Sequence, residues 1–152
     1  MKAKDVMSKD PSCCTANQTV RDAAKLMVEH DCGCIPIVDD LSAKRVVGTI
    51  TDRDITCRCT AKGRSADTRI ADVMSPNPVC CRPEDEVSDI ERVMSERKVR
   101  RVPIVDNGGC CVGIVAQADL ARANSRGVSD REVSQVVERV SEPTCEPRTE
   151  AR

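Results

Sequence analysis

Apolar residues along this chain change their spacing in a fixed order, and that order is run through twice. Near the start, Ala3–Met7 has the pattern of a short helical turn, and Ser12–Thr15 that of a strand. Thr19 then stands as an N-cap with Asp22 at the third helical position. Val20, Ala23, Ala24, Met27 and Val28 fall on one face at helical spacing, which predicts a helix over Val20–His30. Cys34–Val38 is a compact apolar strand, Asp39–Lys44 a turn, and Arg45–Ile50 the returning strand of a hairpin. Thr51 caps a second helix that runs to about Thr60.

The second pass repeats residues as well as pattern. Val6-Met7-Ser8, Pro11, Cys13-Cys14, Val20, Met27 and Pro36-Ile37-Val38-Asp39 recur 67 positions on, as Val73-Met74-Ser75, Pro78, Cys80-Cys81, Val87, Met94 and Pro103-Ile104-Val105-Asp106. After a two-residue deletion the offset becomes 65, so Gly48-x-x-Thr51-x-x-Asp54 meets Gly113-x-x-Ala116-x-x-Asp119. A tandem repeat of this length is two copies of one supersecondary unit. The second helix carries Val87, Ile90, Val93 and Met94, and the hairpin turn is Asp106-Asn107-Gly108-Gly109. The organisation expected is a first repeat over 1–62, a second over 63–125 entered through a polar linker (63–69), an amphipathic helix within 126–141, and a disordered tail over 142–152. In that third helix, Ser129-x-x-Glu132 is a capping box, and Val133, Val136, Val137 and Val140 form an apolar stripe that must pack on its own domain or on a partner.

Composition narrows the function. Units of about 60 residues are marginal alone, so the copies are expected to share a core. A net charge of −1 offers no broad basic field, and with no Phe, Tyr or Trp the chain lacks stacking platforms; both argue against nucleic-acid binding. No apolar run approaches a membrane span, and Met1-Lys2-Ala3-Lys4-Asp5 lacks a secretory signal's apolar stretch, so the address expected is the cytoplasm. One histidine, no nucleophile–base pair and no glycine-rich phosphate loop point away from catalysis.

Eleven cysteines stand mostly in close pairs: Cys13-Cys14, Cys32-x-Cys34, Cys57-x-Cys59, Cys80-Cys81 and Cys110-Cys111, with Cys145 alone. None has the C-x-x-C spacing of zinc ribbons or redox loops, and adjacent strand residues point to opposite faces, which suits chelation poorly. Most are expected to be small buried hydrophobes, with no metal site assigned.

The repeated motifs resemble those of the CBS domain pair, the tandem module named after cystathionine β-synthase. The residues that carry the resemblance are Asp5-Val6-Met7-Ser8, Gly33-Cys34-Ile35-Pro36-Ile37-Val38-Asp39 and Gly48-Thr49-Ile50-Thr51-Asp52-Arg53-Asp54-Ile55 in the first copy. In the second they are Asp72-Val73-Met74-Ser75, Arg100-Arg101-Val102-Pro103-Ile104-Val105-Asp106 and Gly113-Ile114-Val115-Ala116-Gln117-Ala118-Asp119-Leu120. The resemblance spans about residues 3–122 and is similar to a small stand-alone bacterial member. It implies an α/β (α+β) fold of two β-α-β-β-α repeats packed sheet to sheet about a pseudo-two-fold axis, with a C-terminal helix added. It also implies a disc-like homodimer, and two clefts that take adenine nucleotides or related adenosyl ligands as regulatory ligands, with no cofactor required.

Carried over residue by residue, the resemblance gives Thr51 and Asp54 the ligand's ribose, the carboxylate accepting both hydroxyl protons. Thr-x-x-Asp is equally a capping box, and the two roles are compatible. Arg100 and Arg101 of the second copy, where the first has Gly33-Cys34, would reach across to a phosphate, for which the planar guanidinium fork is suited. Adenine would lie against Ile35, Pro36 and the backbone near Cys13. Arg53 either approaches a longer phosphate chain or pairs with Asp52 or Asp54. The second, degenerate cleft would hold Asp119, Ala116, Val102, Pro103, Cys80 and Cys34, with no charge for a phosphate. Two functions follow: a regulatory module sensing AMP, ADP, ATP or a related adenosyl ligand and acting through an unidentified effector protein, or a cysteine-based redox or metal (Zn/Cu) sensor on the same fold.

Overall fold

A computed structural model of the chain describes residues 1–123 and 130–141. The element order is α1 (Ala3–Val6), β1 (Ser8–Lys9), β2 (Cys14–Thr15), α2 (Val20–Glu29), β3 (Cys34–Val38), β4 (Val46–Thr51), α3 (Asp52–Arg58), β5 (Ser75–Pro76), α4 (Val87–Arg97), β6 (Arg101–Val105), β7 (Cys111–Ala116), α5 (Gln117–Ala123) and α6 (Asp130–Ser141). The fold is mixed α/β, with β2-β3-β4-β5 in one sheet and β1-β7-β6 in the other.

Local chemistry explains where the elements begin. Thr19 Oγ1 accepts from the Asp22 backbone N–H (3.2 Å) while Asp22 Oδ2 accepts from that of Thr19 (3.0 Å), which satisfies two orphan donors at the start of α2. Both hairpins fold back through turns that need a left-handed residue, supplied by Lys44 (φ 59°) in one and Gly109 (φ 80°) in the other. Each sheet lines its own core: Ile35, Ile37 and Ile50 with Val20, Ala23 and Met27 in the first, and Val102, Ile104 and Val115 with Val87, Ile90 and Met94 in the second.

The two halves are tied by reciprocal exchange. The leading strand of each copy pairs with the last strand of the other: Ser8 opposes Ile114 and Lys9 opposes Gly113, while their equivalents Ser75 and Pro76 oppose Thr49 and Gly48. The same exchange places Ala3 in the second core and Ile70 and Val73 in the first. Backbone bonds repeat the symmetry, with Ala3 N–H donating to Asp85 O and its equivalent Ile70 N–H to Gln18 O, both at 2.9 Å. At the centre, Val46 N–H donates to Gly109 O (3.1 Å) and Cys111 N–H to Lys44 O (2.7 Å), flanking a bridge between the equivalent residues Arg45 and Cys110. A pair that maps onto itself marks the pseudo-two-fold axis, where the two sheets meet.

The exchanged strands approach so closely that glycine is required beneath them. A Cβ on Gly113 would stand 2.5 Å from Met7 Sδ, and one on Gly48 2.9 Å from Met74 Sδ. On α6, the stripe residues Val136 and Val140 are buried in the second core, where α6 packs against α4 and α5, so these valines serve their own domain rather than a partner. The Ser129-x-x-Glu132 box, the Val133 side chain and the expected tail over 142–152 lie outside the described residues.

Candidate functional site

The site is organised by the strand-to-helix junction of each repeat. In the first, β4 ends at Thr51, which is held opposite Cys34 of β3, and the Asp52 N–H donates to Gly33 O (3.0 Å) to turn the chain into α3. Thr51 Oγ1 then accepts from the Asp54 N–H and Asp54 Oδ2 from the Thr51 N–H, both at 3.0 Å. The capping box expected from Thr-x-x-Asp is therefore formed. It uses only one carboxylate oxygen of Asp54. The other, Oδ1, has Arg58 Nη1 at 3.8 Å, beyond hydrogen-bond length, and the side chain is 14% exposed. A largely enclosed carboxylate with an oxygen left over is an acceptor for hydroxyl donors.

The second junction differs in the way its sequence differs. Ala116 has no hydroxyl to cap α5. Asp119 Oδ2 accepts from the Ala116 N–H at 2.7 Å, and Oδ1 is taken by Arg122 Nη2 at 2.6 Å. Both oxygens are thus engaged, in a side chain 9% exposed. Beside it lies a cavity of about 570 Å³ bordered by Asp5, Met7 and Arg122. Arg58 and Arg122 were not singled out from the sequence, although their spacing from Asp54 and Asp119, one helical turn on, is the signal that finds such partners.

Arg101 opens β6 opposite Ala116 and is half-buried, whereas Arg100 is exposed. Burial pushes the Cys34 thiol up to about 12, against the opposing pull of the Arg101 guanidinium; Cys32, Asp54 and Asp52 add to the upward push. That places Arg101 and Asp54 each within electrostatic reach of Cys34. Cys34, expected beside Asp119, is instead grouped with Thr51 and Asp54, because the antiparallel register makes it Thr51's partner. The Arg53 guanidinium makes no ion pair among the described residues, with Asp52 or with Asp54; its backbone N–H donates to Asp52 Oδ1 at 2.9 Å.

Strand alternation sorts the apolar candidates. Ile35 (1% exposed) and Val102 (0%) turn into the two cores, so neither side chain is offered to a cleft; this corrects their expected role. Pro36 and Pro103 alternate to the opposite faces of their strands and are buried as well. Cys13 and Cys80 are half-buried equivalents, each thiol donating to the carbonyl two residues back (Pro11 O at 3.3 Å, Pro78 O at 3.5 Å). They differ in one respect: the influence of Cys111 holds the Cys13 thiol below its ordinary value, while that of Cys111 itself is raised. Among the described residues, no group of three or more His, Cys, Asp or Glu side chains is arranged to hold a metal ion.

Comparison with known proteins agrees with this architecture. The CBS domain profile matches residues 3–58 and 70–126. The CBS domain-containing protein YhcV of Bacillus subtilis is 42% identical over 118 residues, 78% of this chain and 81% of YhcV. Among solved structures, Hypoxic Response Protein I with two coordinated zinc ions, a protein of Mycobacterium tuberculosis, is 34% identical with a TM-score of 0.71, covering 80% of this chain and 98% of that one. The CBS domain pair of protein MJ0100, in complex with 5′-methylthioadenosine and S-adenosyl-L-methionine, is 30% identical with a TM-score of 0.73 and the same coverage. CBSX2 in complex with AMP is 26% identical with a TM-score of 0.72, covering 82% of this chain and 96% of its own. With two profile matches in tandem, on a fold whose halves exchange strands about a pseudo-two-fold axis, the chain belongs to the CBS domain family.

Proposed function

We propose that this chain is a regulatory module that binds an adenosine-containing ligand at the Thr51/Asp54 junction and performs no catalysis of its own. The observation that carries this reading is the state of Asp54: one oxygen caps α3, and the other has no hydrogen bond among the described residues while its carboxylate is largely enclosed. A ribose presents two neighbouring hydroxyl donors to such an acceptor. Arg101, within reach of Cys34, the strand partner of Thr51, supplies positive charge for a phosphate, which favours AMP, ADP or ATP over an uncharged adenosyl group. Arg53 extends that charge for a longer phosphate chain, and Arg100 stands next to Arg101 in sequence. The adenosine ligands of CBSX2 and MJ0100 support the same class.

The Asp119 side is the weaker candidate for a ribose, because both of its carboxylate oxygens are already engaged, Oδ1 by Arg122. Output passes from a disc-like homodimer in the cytoplasm to an effector protein; Val28, 84% exposed on α2, is a candidate contact surface. Titration calorimetry with AMP against adenosine tests the reading. AMP is expected to bind more tightly, and equal affinities would remove the phosphate from the account. A second reading, a cysteine-based sensor, draws support from the zinc of Hypoxic Response Protein I.

A further inference from the structure

We propose that Arg122 is a latch over a latent ligand site at the second junction. Closed, it occupies Asp119; released, it frees that carboxylate to accept the ribose hydroxyls of an uncharged adenosyl ligand in the neighbouring cavity. The proposal extends to the second repeat the carboxylate chemistry read at Asp54 and rests on that reading.

Pseudo-symmetry isolates what is particular to this repeat. Each aspartate caps its helix through Oδ2, which accepts from the Thr51 N–H at 3.0 Å in the first and from the Ala116 N–H at 2.7 Å in the second. The remaining oxygen faces an arginine in both, but from different positions: Arg58 follows Asp54 by four residues and Arg122 follows Asp119 by three. At the 65-residue offset, Cys57 stands in the place of Arg122 and Ala123 in that of Arg58, so neither arginine has a counterpart. Their partners differ accordingly. Arg58 Nη1 is drawn to the exchanged strand, donating to Val73 O (3.2 Å), Met74 O (3.3 Å) and Ser75 Oγ (3.3 Å), and stays 3.8 Å from Asp54 Oδ1. Arg122 Nη2 donates to Asp119 Oδ1 at 2.6 Å.

The cavity follows from the same difference. Val6 and Met7, the equivalents of Val73 and Met74, border the space of about 570 Å³ together with Asp5, Asp119, Arg122 and Ala123, and the short Ala123 leaves open what Arg58 crosses in the first repeat. Asp5 adds a second carboxylate to that wall, which disfavours a phosphate. Asp119 is 9% exposed and Arg122 75%. An enclosed carboxylate is costly without hydrogen-bond partners, whereas a largely exposed arginine is held weakly. Oδ1 therefore exchanges one partner for another readily, and a ligand that needs it binds in proportion to the fraction of chains whose latch is open.

The test is titration calorimetry of the full chain with adenosine, which has no phosphate to attract Arg122. Asp54→Asn silences the first junction, and Arg122→Ala is then added. A latch open in about one chain in ten predicts that Arg122→Ala tightens adenosine about tenfold, to one site per chain. Asp119→Asn added to both should abolish the gain. Asp119 Oδ2 still caps α5, so urea midpoints should change little; Arg122→Cys, which restores the first repeat's pattern, should give the same gain if the alanine variant folds poorly. The proposal is overturned if neither Arg122 variant binds adenosine more tightly than its Asp54→Asn parent, or if the gain survives Asp119→Asn. AMP titrated into the unmodified chain reports on the Thr51/Asp54 reading separately, so either can fail alone.

Discussion

Replacing Asp54 by asparagine separates capping from ligand binding at a single atom. The asparagine carbonyl can accept from the Thr51 N–H as Asp54 Oδ2 does at 3.0 Å, so α3 keeps its cap and the fold its stability. The other end changes from a charged acceptor to an NH2 donor, facing hydroxyls that need an acceptor. Hydrogen bonds to charged groups contribute about 1.5–3 kcal/mol. At about 1.4 kcal/mol per tenfold in affinity, loss of one such bond weakens binding about tenfold and loss of both about a hundredfold or more. Asp119→Asn is the internal control: Arg122 already occupies Oδ1 at 2.6 Å, so AMP binding at the first junction should be unchanged. The assay is titration calorimetry of wild type and both variants, with urea midpoints measured alongside. The reasoning is refuted if Asp54→Asn binds AMP like wild type, or if Asp119→Asn is the variant that loses it.

Other substitutions read the remaining parts of the account. Arg101→Ala should weaken AMP more than adenosine and more than Arg100→Ala does, because Arg101 is the half-buried one and lies within reach of Cys34, the strand partner of Thr51; equal losses for both ligands in calorimetry would remove Arg101 from phosphate recognition. Thr51→Ala should cost about 1 kcal/mol of stability by urea unfolding through loss of the cap on the Asp54 N–H, and Ala116→Thr should recover part of that amount in the second repeat. Gly113→Ala should destabilise by about 1–3 kcal/mol, because its Cβ would sit 2.5 Å from Met7 Sδ and 3.0 Å from Ser8 O, and adding Met7→Ala should relieve only the sulfur contact. Burial pushes the thiols of Cys14 and Cys81 up to about 11 and Cys34 to about 12, from an ordinary 9.0. The unfolded chain therefore loses these protons first, so the urea midpoint should hold below pH 9.0 and fall as the pH rises toward 12; a flat midpoint across that window contradicts the burial of these thiols.

Elements with a strong local period were legible in the sequence. β3 spans Cys34–Val38 as its compact apolar run predicts, and α2 begins at Val20, after the Thr19 cap, but ends one residue short of His30. The two-residue strands β1 and β5 left no local signal, because Ser8–Lys9 and Ser75–Pro76 are strands only through partners in the other repeat. The same limit applies to the site. Thr51-x-x-Asp54 declares its cap by spacing alone, whereas the placement of Cys34 depends on hairpin register and that of Ile35 and Val102 on which strand face meets a core. The valine stripe of α6 marked a face needing cover, but amphipathicity does not name the cover; packing against α4 and α5 does.

The central claim is that the Thr51/Asp54 junction holds a phosphorylated adenosine. The most direct measurement is titration of the reduced, full-length chain with AMP, followed by heat, since the absence of Phe, Tyr and Trp leaves no aromatic fluorescence to follow. The account predicts saturable binding at one site per chain with a Kd on the order of micromolar, about −8 kcal/mol. No saturable heat with AMP, ADP, ATP or adenosine from folded protein, together with no nucleotide released from it by denaturation, would contradict it.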